Sequence, residues 1–352
     1  MGSCSISIYS RGMKSFASDN FASVHPHVMQ ALHEANSGHS QAYGDDPWCA
    51  RAIEKIRAEF TPQTEVFFVY GGTGANVCSL DACLEKFESV ICTSQAHIAN
   101  DECGAPERYL GAKLHAIPTQ NGKLTVEHIK ELVETSASEH HVLPRVVSLT
   151  QSTELGTMYA LTEIAEISKL CKKHNLYLHV DGARIYNAAA ALNVSLKALT
   201  SDAGVDILSL GGTKNGLMYG EACVVFNKKL GDNMKYVRKQ SMQLASKMRF
   251  IGAQFEALFS NALWKANAEH ANHMARLLAE GIKNDSRVEL LYPVQVNALF
   301  VKIPKNLRDH LLKDSFFWDW NEAEGHVRWM TSFDTEIKDV ENFLAKLQSF
   351  KG

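Results

Sequence analysis

The sequence predicts an α/β architecture: a large domain with a mostly parallel sheet between helices, followed by a smaller α+β domain. Two observations carry this. Between residues 64 and 226 short apolar runs alternate with helical runs, the pattern of parallel strands covered on both faces. After residue 228 that alternation gives way to two long helical patterns and then short strands. The division that follows is an N-terminal extension over 1–15, a large domain over 16–228 and a small C-terminal domain over 229–352.

Taken in order, Ser18, Asp19 and Asn20 open the ordered part, and 27–34 reads as helical. YGDDP at 43–47 is turn chemistry, with Pro47 suited to a first helical turn and Asp45 and Asp46 to turn and capping work. Residues 64–70 read as a strand, GGTGAN at 71–76 as a glycine turn, and 77–87 as a helix. Strand, glycine turn and helix start is the geometry that offers free backbone N–H groups to a phosphate. Strands over 89–93, 113–117, 145–150, 176–180, 205–210 and 222–226 follow, with helices over 125–137 and 161–174; Thr125 is a fitting cap. Beyond 228 the pattern predicts helices over 232–258 and 261–283, and a strand pair within 288–303 around Pro293. Strands near 316–320 and 326–332 and a closing helix from Thr335 complete it. Trp318 and Trp320 alternate, as residues packing one sheet face do.

Composition excludes several classes. The 352 residues carry a formal net charge of −3 and no Lys/Arg-rich run, so there is no electrostatic footprint for nucleic acid. The eight cysteines are scattered without a CxxC pair, which reads as reduced thiols in a cytoplasmic protein. No apolar run approaches the roughly 18 residues that span a bilayer, and no secretory signal pattern opens the chain. His270 and His273 share a helix face but have no third ligand nearby, so no metal site is expected.

The chemistry concentrates in DILSLGGTKNGLMYG at 206–220. A short apolar strand runs into two glycines, a threonine and Lys214. Burial lowers an amine's pKa and makes it nucleophilic, as a Schiff base with an aldehyde cofactor requires. Upstream, LYLHVDGAR ends an apolar strand in Asp181 and places Arg184 three residues on. A carboxylate that keeps a pyridinium nitrogen protonated and a lysine that carries the cofactor together point to pyridoxal 5'-phosphate. Ligands of such sheets sit at the carboxyl ends of strands, where Thr73, His97, Asp181 and Lys214 all fall.

SDN, YGDDP, GGTGAN, the His97 segment, HVDGAR, GGTKNG and VRWMTSFDT together resemble the low-specificity L-threonine aldolases. These form a group of the aminotransferase-like, fold type I pyridoxal phosphate enzymes, and the resemblance spans about 16–350. It implies that Lys214 forms the Schiff base, Asp181 pairs with the pyridine nitrogen, and His97 stacks on the ring near the substrate hydroxyl. Gly72 and Thr73 would hold the phosphate, with Arg184 near cofactor and substrate. Arg328, helped by Ser18, would clamp the substrate carboxylate, a task suited to the guanidinium fork. It further implies a homodimer or homotetramer with shared sites, in which Tyr43 and Arg249 reach a neighbouring subunit's substrate and cofactor. The implied activity is retro-aldol cleavage of L-threonine, L-allo-threonine or phenylserine to glycine and an aldehyde. A related β-eliminating lyase or aminotransferase, or a non-catalytic relative, are the alternatives. Many members carry a second histidine where this chain has Thr153, which leaves base duty to His97 or a water it holds.

Overall fold

A computed structural model describes residues 14–136 and 138–351. The alternating runs form one seven-stranded sheet in the order Glu65–Val69, Glu221–Val225, Ile207–Leu210, Tyr177–Gly182, Leu143–Thr150, Glu88–Thr93, Lys113–Ile117. Glu221–Val225 runs antiparallel to both its neighbours, and the remaining pairings are parallel. The two-residue period of a strand sends neighbours to opposite faces. Val147, Leu149, Leu178, Val180, Leu208 and Val224 pack into one apolar cluster, whereas Val146, Ile207, Cys223 and Val225 pack into another. Both faces are therefore covered, which explains why these strands read as continuous apolar runs.

Two helical expectations differ from the structure. The helix expected over 77–87 is Gly72–Asp81, so the glycines belong to its first turn instead of a loop before it. The pattern over 232–258 is two helices, Lys228–Gln240 and Arg249–Leu258. Between them Met242 takes a left-handed φ of 62°, and Gln243 turns its Oε1 to accept the Tyr70 N–H at 3.1 Å. The break at 241–248 has no proline or glycine of its own and coincides with this contact to a distant strand end.

The C-terminal part builds an antiparallel sheet in the order Trp318–Asn321, His326–Met330, Ala298–Lys302, Glu289–Leu290. Helices Leu263–Ile282 and Ile337–Ser349 supply Met274, Leu278, Phe343 and Leu347 to the cluster that buries Leu299, Val301 and Trp329. Phe343 lies edge-on to Trp329 with ring centroids 4.9 Å apart. Trp318 and Trp320 stay half-exposed. Lys14–Ser15, expected within a loose extension, is a strand paired in parallel with Ser315–Phe316; residues 1–13 of that extension lie outside the described residues. Phe16 follows it into the small cluster, and its carbonyl accepts the Met330 N–H at 2.7 Å. No described helix is long and apolar enough to cross a membrane.

Candidate active site

Six strands of the large sheet end at one edge, and the reversed strand begins there. Strand Ile207–Leu210 delivers Lys214 through a tight turn whose glycines are fixed by packing. A Cβ on Gly211 would sit 2.6 Å from the Ala183 carbonyl oxygen, and one on Gly212 would sit 2.5 Å from that of Gly220. A 3₁₀ turn at Thr213–Asn215 follows, and Gly216 closes it at φ 104°. The Lys214 side chain is half-buried in a cleft of about 340 Å³ that it shares with Thr73, His97 and Asp181. Burial and the nearby Arg184 guanidinium push its amine below the ordinary lysine pKa, against the pull of Asp19, Asp181 and Glu221.

Asp181 is buried at the end of Tyr177–Gly182 and is held on both oxygens. Oδ2 accepts Asn76 Nδ2 at 2.9 Å and Oδ1 accepts the Ala183 N–H at 3.0 Å. Asn76 also donates to Glu102 Oε1 at 2.7 Å, and that oxygen lies 2.9 Å from His97 Nδ1. His97, Glu102, Asn76 and Asp181 thus form one hydrogen-bonded chain. The bond to Glu102 raises the His97 pKa above its ordinary value, outweighing burial, and Asp181 adds to it. With Nδ1 engaged, Nε2 is the ring nitrogen left for the cleft.

The opposite wall is the N-terminus of helix Gly72–Asp81. Its N-cap, Gly71, contributes no side-chain bond. A Cβ on Gly71 or Gly72 would meet nothing within 4 Å, so packing within this chain does not demand glycine there. Open space in front of uncapped N–H groups suits an anion with several oxygens.

The two arginines differ in what they hold. Arg184 forks onto Asp19, Nε to Oδ2 at 2.7 Å and Nη2 to Oδ1 at 2.9 Å, and Asn297 Nδ2 adds a bond to Oδ2 at 3.2 Å. Arg328 has no carboxylate partner among the described residues. Nη2 donates to the Ala17 carbonyl at 2.9 Å, Nε is buried without a partner, and the guanidinium lies 5.5 Å from the Trp320 ring centre. Burial and the charge of Arg184 lower its pKa to about 10. Ser18 caps the short turn after it, its Oγ accepting the Asn20 N–H at 3.2 Å. Tyr43 and Arg249 lie outside the cleft of their own chain. Tyr43 is half-exposed under the Lys239 amine, and Arg249 donates to the Ser37 and Gly38 carbonyls at 3.3 and 3.2 Å.

The family model for beta-eliminating lyases matches residues 15–306. A curated low-specificity L-threonine aldolase from Pseudomonas aeruginosa is 42% identical over 338 residues, 96% of this chain and 98% of its own. The chain belongs to the low-specificity L-threonine aldolase family. The threonine aldolase of Leishmania major superposes with a TM-score of 0.91 at 32% identity, over 95% of this chain and 98% of that one. Likeness of fold extends to an alanine–glyoxylate aminotransferase from Nostoc, with a TM-score of 0.70 at 16% identity over 96% and 94% of the chains. The architecture is therefore that of the fold type I pyridoxal phosphate enzymes, to which these threonine aldolases belong.

Sequence reasoning missed five side chains that build this aldolase-family cleft. Asn76 and Glu102 link His97 to Asp181, and Asp19 holds Arg184. Glu154 and Glu221 are buried carboxyls that face the charged groups. Glu154 Oε1 accepts the His97 N–H and Thr150 Oγ1, each at 2.8 Å, and Oε2 is buried without a partner. Burial and the Asp181 charge push it up to about 7. Thr153, where the resemblance implies a second histidine in many members, is buried, its Oγ1 2.7 Å from Thr157 Oγ1. The available signals were slight: Asn76 closes GGTGAN, Asp19 sits in SDN, and Glu102 follows His97 by five residues.

Proposed function

We propose that this protein cleaves β-hydroxy-α-amino acids, L-threonine and L-allo-threonine among them, to glycine and an aldehyde, using pyridoxal phosphate. The observation that carries the reading is Lys214, half-buried and with its amine pKa lowered, sharing one cleft with Asp181. The donor set fits the cofactor. Lys214 would hold its aldehyde carbon, Asp181 its ring nitrogen, and the uncapped turn at Gly72 and Thr73 its phosphate. When bound, the cofactor supplies the electron sink that makes the Cα–Cβ bond of the substrate labile.

This chain's residues do the rest. Arg328, with its unpaired Nε, is suited to the substrate carboxylate, and Ala17 and Ser18 lie beside it. Arg184 acts through Asp19, fixing the N-terminal segment that frames this end of the cleft. His97 Nε2, or a water it holds, takes the β-hydroxyl proton, and Glu102 steadies the imidazolium that results. General base help of this kind contributes about 10²–10⁴-fold. Shared sites in a homodimer or homotetramer belong to the same reading; the placement of Tyr43 and Arg249 outside their own cleft supports it. A two-domain division draws support from the separate apolar cluster beneath the small sheet. Leu230, Met234, Ile251, Phe255 and Trp264 pack with the large sheet, however, and apart from Phe16 the small cluster starts at Met274, which moves the boundary from 228 towards residue 270. Cytoplasmic residence draws support from the seven described cysteines, all unpaired.

The test follows aldehyde release from L-threonine and L-allo-threonine by pure protein, with Lys214→Ala alongside. Aldehyde and a visible cofactor band from the parent, and neither from the variant, are expected. A ketoacid or transamination product in place of glycine would move the assignment to a sister enzyme. Absence of any cofactor band in the parent would overturn the enzymatic reading.

A further inference from the structure

Glu221 has no part in the assignment above, yet its carboxylate is built into the same cleft. It is the first residue of the one reversed strand of the large sheet, so it starts at the edge where the other strands end. Its side chain is buried opposite Val69. Both oxygens are turned onto the lysine turn: Oε2 accepts the Gly212 N–H at 2.6 Å, and Oε1 lies 3.4 Å from the Thr213 N–H. These are the two residues immediately before Lys214.

The charges around Lys214 are of both signs, with Asp19 and Asp181 outweighing Glu221 among the attracting ones. Arg184 from the segment after Tyr177–Gly182 repels the amine, and Asp19, Asp181 and Glu221 attract it. His97 also faces it and is itself disfavoured as a cation by the lysine. Asp19 is committed to Arg184 and Asn297, and Asp181 to Asn76 and the Ala183 N–H. Around Glu221 itself the charged and titratable neighbours are Lys214 and, from helix Ile185–Leu192, the buried Tyr186. Among the described residues Glu221 has no cationic partner other than Lys214. Burial holds its carboxyl at about 7, opposed by the Thr213 and Gly212 bonds and by the lysine.

We propose that Glu221 is a positioning residue for Lys214, clamping its turn through the Gly212 and Thr213 amides and joining Asp19 and Asp181 as an attracting charge on the amine. This rests on the reading of Lys214 as the cofactor-holding lysine. Its test does not, because it works on the amine itself. Removing an attracting anion lowers a lysine pKa.

In cofactor-stripped full-length protein, acylation of Lys214 by acetic anhydride, followed by mass spectrometry across pH, gives the amine's midpoint. E221Q keeps an acceptor oxygen for Gly212 and loses the charge. Its midpoint is expected to fall by a resolvable fraction of a pH unit, since Asp19 and Asp181 remain, with E221D restoring most of the loss. In the loaded enzyme the pH at which the visible cofactor band changes form should fall in the same variant. An unchanged or raised acylation midpoint in E221Q, or an equal fall in E221D, overturns the proposal. A reciprocal arm needs no change at Glu221. Coupling between two sites is mutual, so Lys214→Ala must raise the Glu221 midpoint, read by isotope-edited infrared of the carboxyl stretch. No rise there overturns the proposal even if E221Q fails to fold. Loss of cofactor binding by the parent, by contrast, would sink the functional assignment and leave this coupling measurable.

Discussion

Replacing Glu102 with glutamine should lower the pKa of His97 and move the acid limb of catalysis to lower pH. The Glu102 side chain is wholly buried, and its Oε1 lies 2.9 Å from His97 Nδ1. A hydrogen bond to a charged group is worth about 1.5–3 kcal/mol, and about 1.4 kcal/mol corresponds to one pKa unit. The His97 side chain is 37% exposed in the single chain, so solvent screens the pair and the lower end applies, about one unit. The sign follows from the base role. Because Glu102 raises the His97 pKa, the parent's imidazole becomes neutral, and able to accept the hydroxyl proton, only above its ordinary value. Without the carboxylate, neutrality arrives at lower pH and the base is weaker, so the plateau rate should drop while the acid limb shifts left. The assay is kcat/KM for L-threonine against pH, paired with an NMR titration of the His97 ring. An unchanged or higher His97 midpoint in Glu102→Gln would refute the reasoning, whatever happens to the plateau.

Other perturbations test separate parts. Arg328→Lys keeps the charge and loses the fork, so kcat/KM should fall by roughly 10- to 100-fold, mostly through KM, in steady-state kinetics. Asp19→Ala strands the Arg184 guanidinium, only 14% exposed, and should cost roughly 3–5 kcal/mol in urea melts. Burial opposes ionisation of Asp19, but Arg184 outweighs it and the folded pKa lies below 3.8. The ion pair's stability is therefore present above that value and lost as pH falls through the lower folded one; acid melts of Asp19→Asn should flatten in that window. Phe343→Ala removes a ring packed between Phe16 and Trp329 and should cost about 3–5 kcal/mol in thermal melts.

What was legible in the sequence was what is local in the chain. Lys214 and Asp181 each sit in a strand-plus-turn signature, and His97, Thr73 and the sheet follow from alternation. Of the partners that tune them, Asp19 and Asn76 were not legible because their contacts cross long stretches of chain, and Glu102, though only five residues from His97, reads as a solvated carboxylate until its burial is known. Asp19 meets Arg184 across 165 positions and Asn76 meets Asp181 across 105. Glu221 fell just outside the strand expected over 222–226, since a carboxylate reads as polar until its burial is known. Paired glycines are poor helix formers, so the start of Gly72–Asp81 was set too late. The helix begins there because the adjoining strand end and the Gln243 contact fix the joint.

The strand Lys14–Ser15 pairs with Ser315–Phe316, and the Lys14 amine reaches the Asp334 carbonyl across 320 positions. Ribosomes add about 5–20 residues per second, so this segment would wait on the order of 15–60 s for its partners. Throughout that interval the Phe16 ring and the Asp19 carboxylate have nothing of the small sheet to rest on. The arginine at the substrate end acquires its counterion early, yet Ala17 receives Arg328 only when synthesis is nearly done. Completion of the proposed carboxylate clamp would thus be timed to the last stage of folding, and a nascent chain halted before residue 328 would carry Lys214, Asp181 and His97 without the Arg328 guanidinium.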